Sequence, residues 1–294
     1  IISPIISFLL YFVSLFNYKI RANHFYFYSR LFKIKKKIQL SAQGKSILLF
    51  HAASAGEYEQ LKPILRLVDK NKYFIIQSFT SSTIFKKTQS ESQLFDAVCY
   101  HPYDLLWRSW IFFKILKPTK YIITRHDIWP GHIAISKFFN IDTYFINANI
   151  HKNSIWYRSY FRPLTRWTFN KLNAIIVPSK TIKNNLLLIN VNSSIINIIE
   201  DTRFEQILYH SIHEVPKMKL PKYFITSNVI MFGSIDYNDE QIIYPAITKV
   251  FPSGSQSLRN TSQACIIVPH EVDDKTINRI SNKLNNYKFN FILS

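Results

Sequence analysis

The stretch Ile47-Leu48-Leu49-Phe50-His51-Ala52-Ala53-Ser54-Ala55-Gly56-Glu57-Tyr58-Glu59-Gln60 decides the fold. An apolar run stops at small residues and a glycine, and a helical pattern carrying Leu61, Ile64, Leu65 and Val68 follows. That order reads as a strand, a tight turn and a helix start, with Glu57 and Glu59 in the first turn. A carboxylate there is favoured by the helix dipole and by N–H groups with no partner inside the helix. Glu57 therefore reads either as a helix-start acid or as a working carboxylate. Its place in the chain favours the second, because it is the first acidic residue and follows eight Lys and Arg residues.

Outward from this turn the same unit repeats. Strand-like runs occur at Ile47–Phe50, Tyr73–Phe79, Tyr121–Thr124, Thr143–Asn147, Ala174–Val177 and Ile195–Ile199. Helical patterns lie between and after them, at Glu57–Val68, Ser82–Ser90, Leu105–Leu116, Pro130–Phe139, Trp156–Leu172 and Ser179–Leu188. Such alternation predicts parallel βαβ units and a doubly wound α/β sheet. Ligands of these sheets bind at the carboxyl ends of the strands, where Ser54-Ala55-Gly56-Glu57 falls. No GxGxxG follows the first strand, so no dinucleotide cofactor is indicated.

Toward the N-terminus, residues 1–18 carry no charge, and Ile5 to Phe16 is almost wholly apolar. Eighteen helical residues extend about 27 Å, which suits a short membrane span, a partly embedded helix or a signal peptide. Against the last, no basic region precedes the run and no small-residue cleavage site follows. We read residues 1–18 as a membrane-anchoring helix. Lys19, Arg21, Arg30, Lys33, Lys35, Lys36 and Lys37 follow, interleaved with Phe25, Tyr26, Phe27, Tyr28 and Phe32. Basic residues beside an apolar segment hold that side in the cytoplasm and attract anionic headgroups.

The whole composition agrees. Lys and Arg number 37 against 18 Asp and Glu, a net charge of +19 that calls for an anionic partner. A nucleic acid is one such partner, but no zinc-finger, RNP-like or helix-turn-helix signature supports it, and charge beside an apolar N-terminus favours an anionic membrane surface. Cys99 and Cys265 are too few for a disulfide framework, and each sits in an apolar run that reads as a buried strand. His51, His101, His126 and His132 are scattered over different turns without metal-ligand spacing, so no metal is indicated.

Near Glu200 the pattern changes. The segment 206–221 reads as a linker between a first domain, 19–205, and a second, 222–294. The second opens with strand Val229–Phe232, turn Gly233-Ser234 and helix Asp239–Val250. A polar loop, Ser253–Gln263, leads to strand Ala264–Val268, Pro269-His270-Glu271 and helix Asp274–Leu284, and the run Phe289–Leu293 looks like a strand just beginning. Two strands and two helices make this a partial domain. A Gly-Ser at a helix-leading turn offers N–H groups and a hydroxyl to a phosphate.

Several segments together carry a resemblance. They are His51-Ala-Ala-Ser-Ala-Gly-Glu57-Tyr-Glu59, Ser78-Phe-Thr80-Ser, His101-Pro-Tyr-Asp104, Asp127-Ile-Trp-Pro130, Asn147-Ala148-Asn149, Asp201-Thr-Arg203-Phe204, Gly233-Ser234 and Pro269-His-Glu271. In this order the sequence resembles the 3-deoxy-D-manno-octulosonic acid (Kdo) transferases of lipopolysaccharide synthesis. The resemblance implies a GT-B fold with two Rossmann-like domains, the second incomplete, behind an N-terminal membrane-associated helix. It implies transfer of Kdo from CMP-Kdo to a phosphorylated lipid A precursor, with inversion and without a cofactor or metal, at the cytoplasmic side of the inner membrane. Glu57 matches the family's proposed base. Ser54, Gly56, Arg125 and Asp127 fall on the acceptor side, with capping of the helix at Pro130 as the other role open to Asp127. Gly233, Ser234, His270 and Glu271 match the turns that contact CMP. Departures are Gly131, where the family commonly has Asn, Glu200 in place of Gly, and His270 where other branches carry Arg. A later glycine-rich segment with His-Asn and Glu-Pro has no counterpart, so we expect a fragment or a disrupted frame. The alternative function is that of an inactive lipid-binding or membrane-binding remnant.

Overall fold

The computed structural model describes residue 16 and residues 18–88, 93–213, 228–250 and 263–286. Most of the predicted anchor, the predicted linker beyond 213, all of the predicted polar loop Ser253–Gln263 except Gln263, and the run Phe289–Leu293 lie outside these. The described residues fall in two compact units, one within 1–214 and the other within 215–294.

The first unit opens with helix α1 (Tyr18–Ser41), strand β1 (Ser46–Ala52) and helix α2 (Ala55–Leu67). Then come β2 (Tyr73–Phe79), α3 (Ser82–Lys87), β3 (Ala97–Tyr100), α4 (Leu106–Leu116), β4 (Lys120–Thr124), α5 (Pro130–Phe138) and β5 (Asp142–Ile146). It closes with α6 (Arg162–Asn170), β6 (Ala174–Val177), α7 (Lys180–Leu188), β7 (Ile196–Ile198) and α8 (Arg203–His213). All seven strands pair in parallel in the order β3-β2-β1-β4-β5-β6-β7. The order reverses between β1 and β4, and that switch point is where open α/β sheets bind ligands.

Alternation along each strand feeds two cores. Leu49, Phe74, Ile76, Tyr121, Ile123 and Phe145 face one layer, where Phe112 and Phe113 of α4 and Ile133 of α5 cover them. Leu48, Phe50, Ile75, Phe79 and Ile122 face the other, beneath Tyr58, Leu61 and Leu65 of α2.

The basic stretch after the predicted anchor is the body of α1. Phe27, Leu31 and Ile34, spaced along one helical stripe, are buried in the first core. Lys33, Lys35, Lys36 and Lys37 with Tyr26 and Phe32 stay exposed. Among the described residues no helix is long and apolar enough to cross a membrane.

Two expectations need correction. Trp156–Leu172 is not one helix: two 3-10 turns, Ile155–Tyr157 and Ser159–Phe161, precede α6. Pro163 has no N–H to donate and clashes with the preceding turn, so it belongs in the first turn of a helix and α6 starts beside it. The segment read as linker from residue 206 is helical to His213. Gln206 is buried there, donating to Glu59 at 2.8 Å and accepting from Arg66 at 2.5 Å, both on α2.

The second unit pairs β8 (Asn228–Ile235) with β9 (Gln263–Pro269) in parallel and adds α9 (Tyr237–Val250) and α10 (Asp274–Asn286). Tyr244, Ile280 and Leu284 form its core. Glu240 is fully buried and balanced by Arg279 at 2.5 Å and Lys283 at 3.0 Å.

Candidate active site

The β1–α2 turn builds the site from its caps. Ser54 is the N-cap of α2 and its Oγ accepts from the Glu57 N–H at 3.4 Å. Glu57 reaches back, and its Oε2 accepts from the Ala53 N–H at 2.6 Å. This is close to a capping box, with the carboxylate bonded one residue earlier than usual. One oxygen serves the helix; the other, Oε1, lies 3.8 Å from His126 Nδ1. Glu57 itself is buried, whereas Ser54, Ala55 and Gly56 are exposed around it. Nothing stands within 4 Å of where a Cβ on Gly56 would point, so the turn is open there.

The β4–α5 turn meets it across the switch point. Arg125 has φ 65°, a left-handed conformation that is uncommon for a residue with a side chain. Two backbone bonds hold it, from Arg125 N–H to Ile146 O at 3.0 Å and from Asn149 N–H to Arg125 O at 3.1 Å. Gln60 of α2, with its amide oxygen turned toward the guanidiniums, accepts from Arg125 Nη1 at 3.1 Å and Arg203 Nε at 2.9 Å. Thr202 joins the same group, donating to Gln60 O at 2.6 Å and accepting from Asn147 Nδ2 at 2.8 Å. The Asn147 and Asp201-Thr202-Arg203 segments, distant in sequence, thus close one wall beside the turn.

Asp127 points inward. Its Oδ2 accepts from His51 Nε2 at 2.7 Å and Thr80 Oγ1 at 3.1 Å, and its Oδ1 accepts from Trp129 Nε1 at 2.6 Å. Burial raises its pKa, but the bonds from His51, Trp129 and Thr80 outweigh that and hold it at about 2. It does not cap α5. Asp104 does so from the β3–α4 loop, accepting from the Gly131 and His132 N–H groups at 3.1 Å and 2.9 Å. The departure at Gly131 has its reason here, since a Cβ at that position would collide with the Asp104 carboxylate.

Behind Asp127, three of the four histidines that look scattered in sequence, His51, His101 and His132, form one buried cluster, while His126 stays exposed on the turn. His51 Nδ1 lies 3.1 Å from Ser78 Oγ, and Ser78 Oγ lies 3.1 Å from His101 Nδ1. His101 Nε2 lies 3.0 Å from His132 Nδ1 and 3.0 Å from the Tyr121 hydroxyl. Burial, with the charges of His51 and His132, pushes the His101 pKa well down; burial takes His132 to about 4 despite Asp104. No three such groups stand where they could share a metal ion among the described residues. The roles of His51, Ser78, His101 and Asp104 are not read from the sequence, although all four fall in the quoted segments. The signal was strand alternation: Leu49 and His51, Ile76 and Ser78, and Cys99 and His101 put a polar residue at the end of three adjacent core-facing rows.

In the second unit the sequence-predicted residues come together in part. Ser234 Oγ lies 2.8 Å from His270 Nδ1, and Ser234 adopts φ 60° where the β8–β9 register breaks between Gly233 and Ile235. Gly233 and Ser234 are therefore the end of β8, not a turn leading a helix. The start of α9 is already closed by Asp236, whose Oδ1 accepts from Asn238 and Asp239 at 2.7 Å and 3.1 Å. Glu271 is exposed beyond His270.

The parallel sheet carries a buried carboxylate, Glu57, and a partly buried one, Asp127, at its switch point, which is where open α/β sheets bind ligands, and solved structures show which α/β folds it resembles. The fold is similar to that of the UDP-GlcNAc 2-epimerase from Neisseria meningitidis bound to UDP-GlcNAc, at 14% identity and a TM-score of 0.55 over 82% of this chain and 69% of that one. It is also similar to a putative UDP-N-acetylglucosamine 2-epimerase from Listeria monocytogenes, at 12% and 0.58 over 82% and 66%. A glycosyltransferase from Rickettsia africae ESF-5 matches at 12% and 0.50 over 83% and 66%. At these identities the likeness is one of fold, the α/β architecture of GT-B-like proteins, and the chain spans about two thirds of the length of those structures. None of the curated proteins matches the sequence. The family described as 3-deoxy-D-manno-octulosonic-acid transferase (kdotransferase) matches residues 24–206, and the chain belongs to that family.

Proposed function

We propose that this chain carries the acceptor side, and part of the donor side, of a glycosyltransferase that moves Kdo from CMP-Kdo to a phosphorylated lipid A precursor. The observation that supports the reading best is Glu57. It is a buried carboxylate at the switch point, with one oxygen anchored by the Ala53 N–H and the other directed toward the β4–α5 turn. Inverting transfer needs a base that takes the proton of the attacking sugar hydroxyl while CMP departs from the opposite face. An anchored carboxylate with one free oxygen suits that task, and the open space over Gly56 suits the approach of an acceptor. We read Arg125 and Arg203, whose guanidiniums both face Gln60, as the groups that meet the phosphate of the acceptor. Asp127 contributes by holding the turn. On the donor side Gly233, Ser234, His270 and Glu271 are the residues proposed to meet CMP, at the cytoplasmic face of an inner membrane to which the basic face of α1 is drawn.

The test is Kdo transfer from CMP-Kdo to lipid A precursor by wild-type protein and by Glu57→Ala. We expect the variant to remain folded and to lose about 10²- to 10⁴-fold in rate. Transfer at the wild-type rate in Glu57→Ala removes the base assignment. Lipid binding without transfer by the wild type favours the binding remnant instead.

A further inference from the structure

The charges of the first unit divide by layer. Helices α1, α4, α5, α6 and α7 all cover the same face of the sheet, through Phe27, Phe112, Ile133, Phe169 and Ile182. Helix α4 packs against α1 and α5, and α5 packs against α6, so these four stand side by side. None of the five helices contains an Asp or a Glu, whereas α2, α8, α9 and α10 each contain at least one. From Leu106 to Leu188 the only acidic residues are Asp127, held by three donors, and Asp142, 3.6 Å from Lys120. The same layer leaves large apolar side chains uncovered: Phe32 of α1, Trp110 of α4, Phe138 of α5 and both Leu164 and Trp167 of α6. Cations stand among them. Lys114 Nζ lies 4.1 Å from the centre of the Trp110 ring, and Arg162 and Arg166, one turn apart on α6, are exposed. Helix α6 already buries Thr165, Thr168 and Phe169, so its exposed Leu164 and Trp167 are not the stripe that holds it to the sheet.

We propose that this whole layer, and not α1 alone, is the face that the protein lays on an anionic lipid bilayer. The proposal extends to α4, α5, α6 and α7 the attraction ascribed above to α1, and in that respect rests on the same reading. A net charge spread evenly draws in any polyanion, whereas a face with cations and no acids on its helices also orients the molecule. Phe, Leu and Trp among those cations fit a bilayer, where rings settle at the headgroup level and Lys and Arg meet phosphates. A nucleic-acid backbone offers the phosphates but leaves Phe138 and Leu164 no role. Helix α6 is the place to separate the layer from α1, since α4 and α5 stand between them.

Sedimentation of the full chain with phosphatidylglycerol vesicles tests the location. Arg162→Gln with Arg166→Gln removes two exposed charges and leaves α1 as it is; binding should weaken about tenfold or more. Lys72→Gln with Lys275→Gln removes the same charge from the loop before β2 and from α10, and should bind close to wild type. Equal losses in the two pairs would show the total charge at work and overturn the proposal, as would no loss in the α6 pair. A loss by the α6 pair on duplex DNA but not on vesicles assigns the face to nucleic acid instead. Quenching of tryptophan emission by lipids brominated in the acyl chains reads the contact directly. It should be largely lost in Trp110→Phe with Trp167→Phe, two exposed positions outside the core. Undiminished quenching in that variant takes the layer off the bilayer. If the α1 reading alone fails, its lysine variants bind like wild type while the α6 pair still loses affinity.

Discussion

Asp127 and His132 respond to acid over different ranges. Asp127 moves from 3.8 when unfolded to about 2 in the fold, so the folded protein binds its proton less readily. Its contribution is present above the unfolded value and is lost as pH falls toward 2, amounting to about 2 kcal/mol. Asp127→Asn should therefore be less stable than wild type at pH 6, with the gap closing as denaturation is repeated between pH 4 and 2. A gap independent of pH would show that the charge on Asp127 is not what the fold uses. His132 moves from 6.5 to about 4 for a different reason, burial of a ring that is neutral in the folded state. The unfolded chain then binds the extra proton, so stability falls from pH 6.5 down to 4 by an amount on the order of 3 kcal/mol. His132→Gln is expected to be less stable at pH 7 yet to show a shallower fall over that range, read from urea midpoints at each pH.

Helix α5 shows what an element's neighbours add to its sequence. Its N-terminal N–H groups are satisfied by Asp104 from another loop, and only a glycine at 131 leaves room for that carboxylate. Gly131→Ala is expected to cost about 1–3 kcal/mol in chemical denaturation, as an overpacked site does. If Asp104→Ala is made first, the same substitution should cost much less, and equal costs in both backgrounds would refute the steric account. The boundaries of β2 and β6 and the start of α5 were legible because apolar runs ended at small polar residues or at Pro, whereas β1 runs on through His51 and Ala52 past the end its apolar run suggests. The cap by Asp104 was not legible, since Asp127 sits closer in sequence and is an equally good capping type. Nor was α8. Its Phe204, Ile207 and Leu208 are exposed, so no buried stripe marks it, and its packing on α2 relies on Gln206, Arg66 and the stacking of Arg66 on Tyr209 at 3.7 Å. Glu57 was legible in position and type; the buried histidines were legible only once neighbouring strands were set in register.

At the scale of the molecule the excess of 37 basic over 18 acidic residues has to be set against where the charges stand. Inside the first unit, acidic groups are drawn into caps and pairs: Glu57 to Ala53, Asp104 to α5, Asp201 to Arg203 at 2.8 Å. Many of the basic groups stay on the surface, and the densest run, Lys33, Lys35, Lys36 and Lys37, lies on the exposed side of α1 with Tyr26 and Phe32 beside it. Lysines with interleaved aromatics suit an anionic lipid surface, where rings settle among the headgroups and charges meet phosphates. The chain should therefore sediment with vesicles rich in phosphatidylglycerol and be released as salt is raised, because the attraction falls off within a Debye length. Changing the four lysines to Gln should weaken that binding about tenfold or more, while Phe32→Ser weakens the part that salt does not remove. Retention on DNA that matches retention on vesicles, with the four-lysine variant unaffected on the vesicles, would replace a lipid partner with a nucleic acid. The aromatic arm separates the two readings, since nonspecific duplex binding tracks phosphate contacts and leaves Phe32 no role.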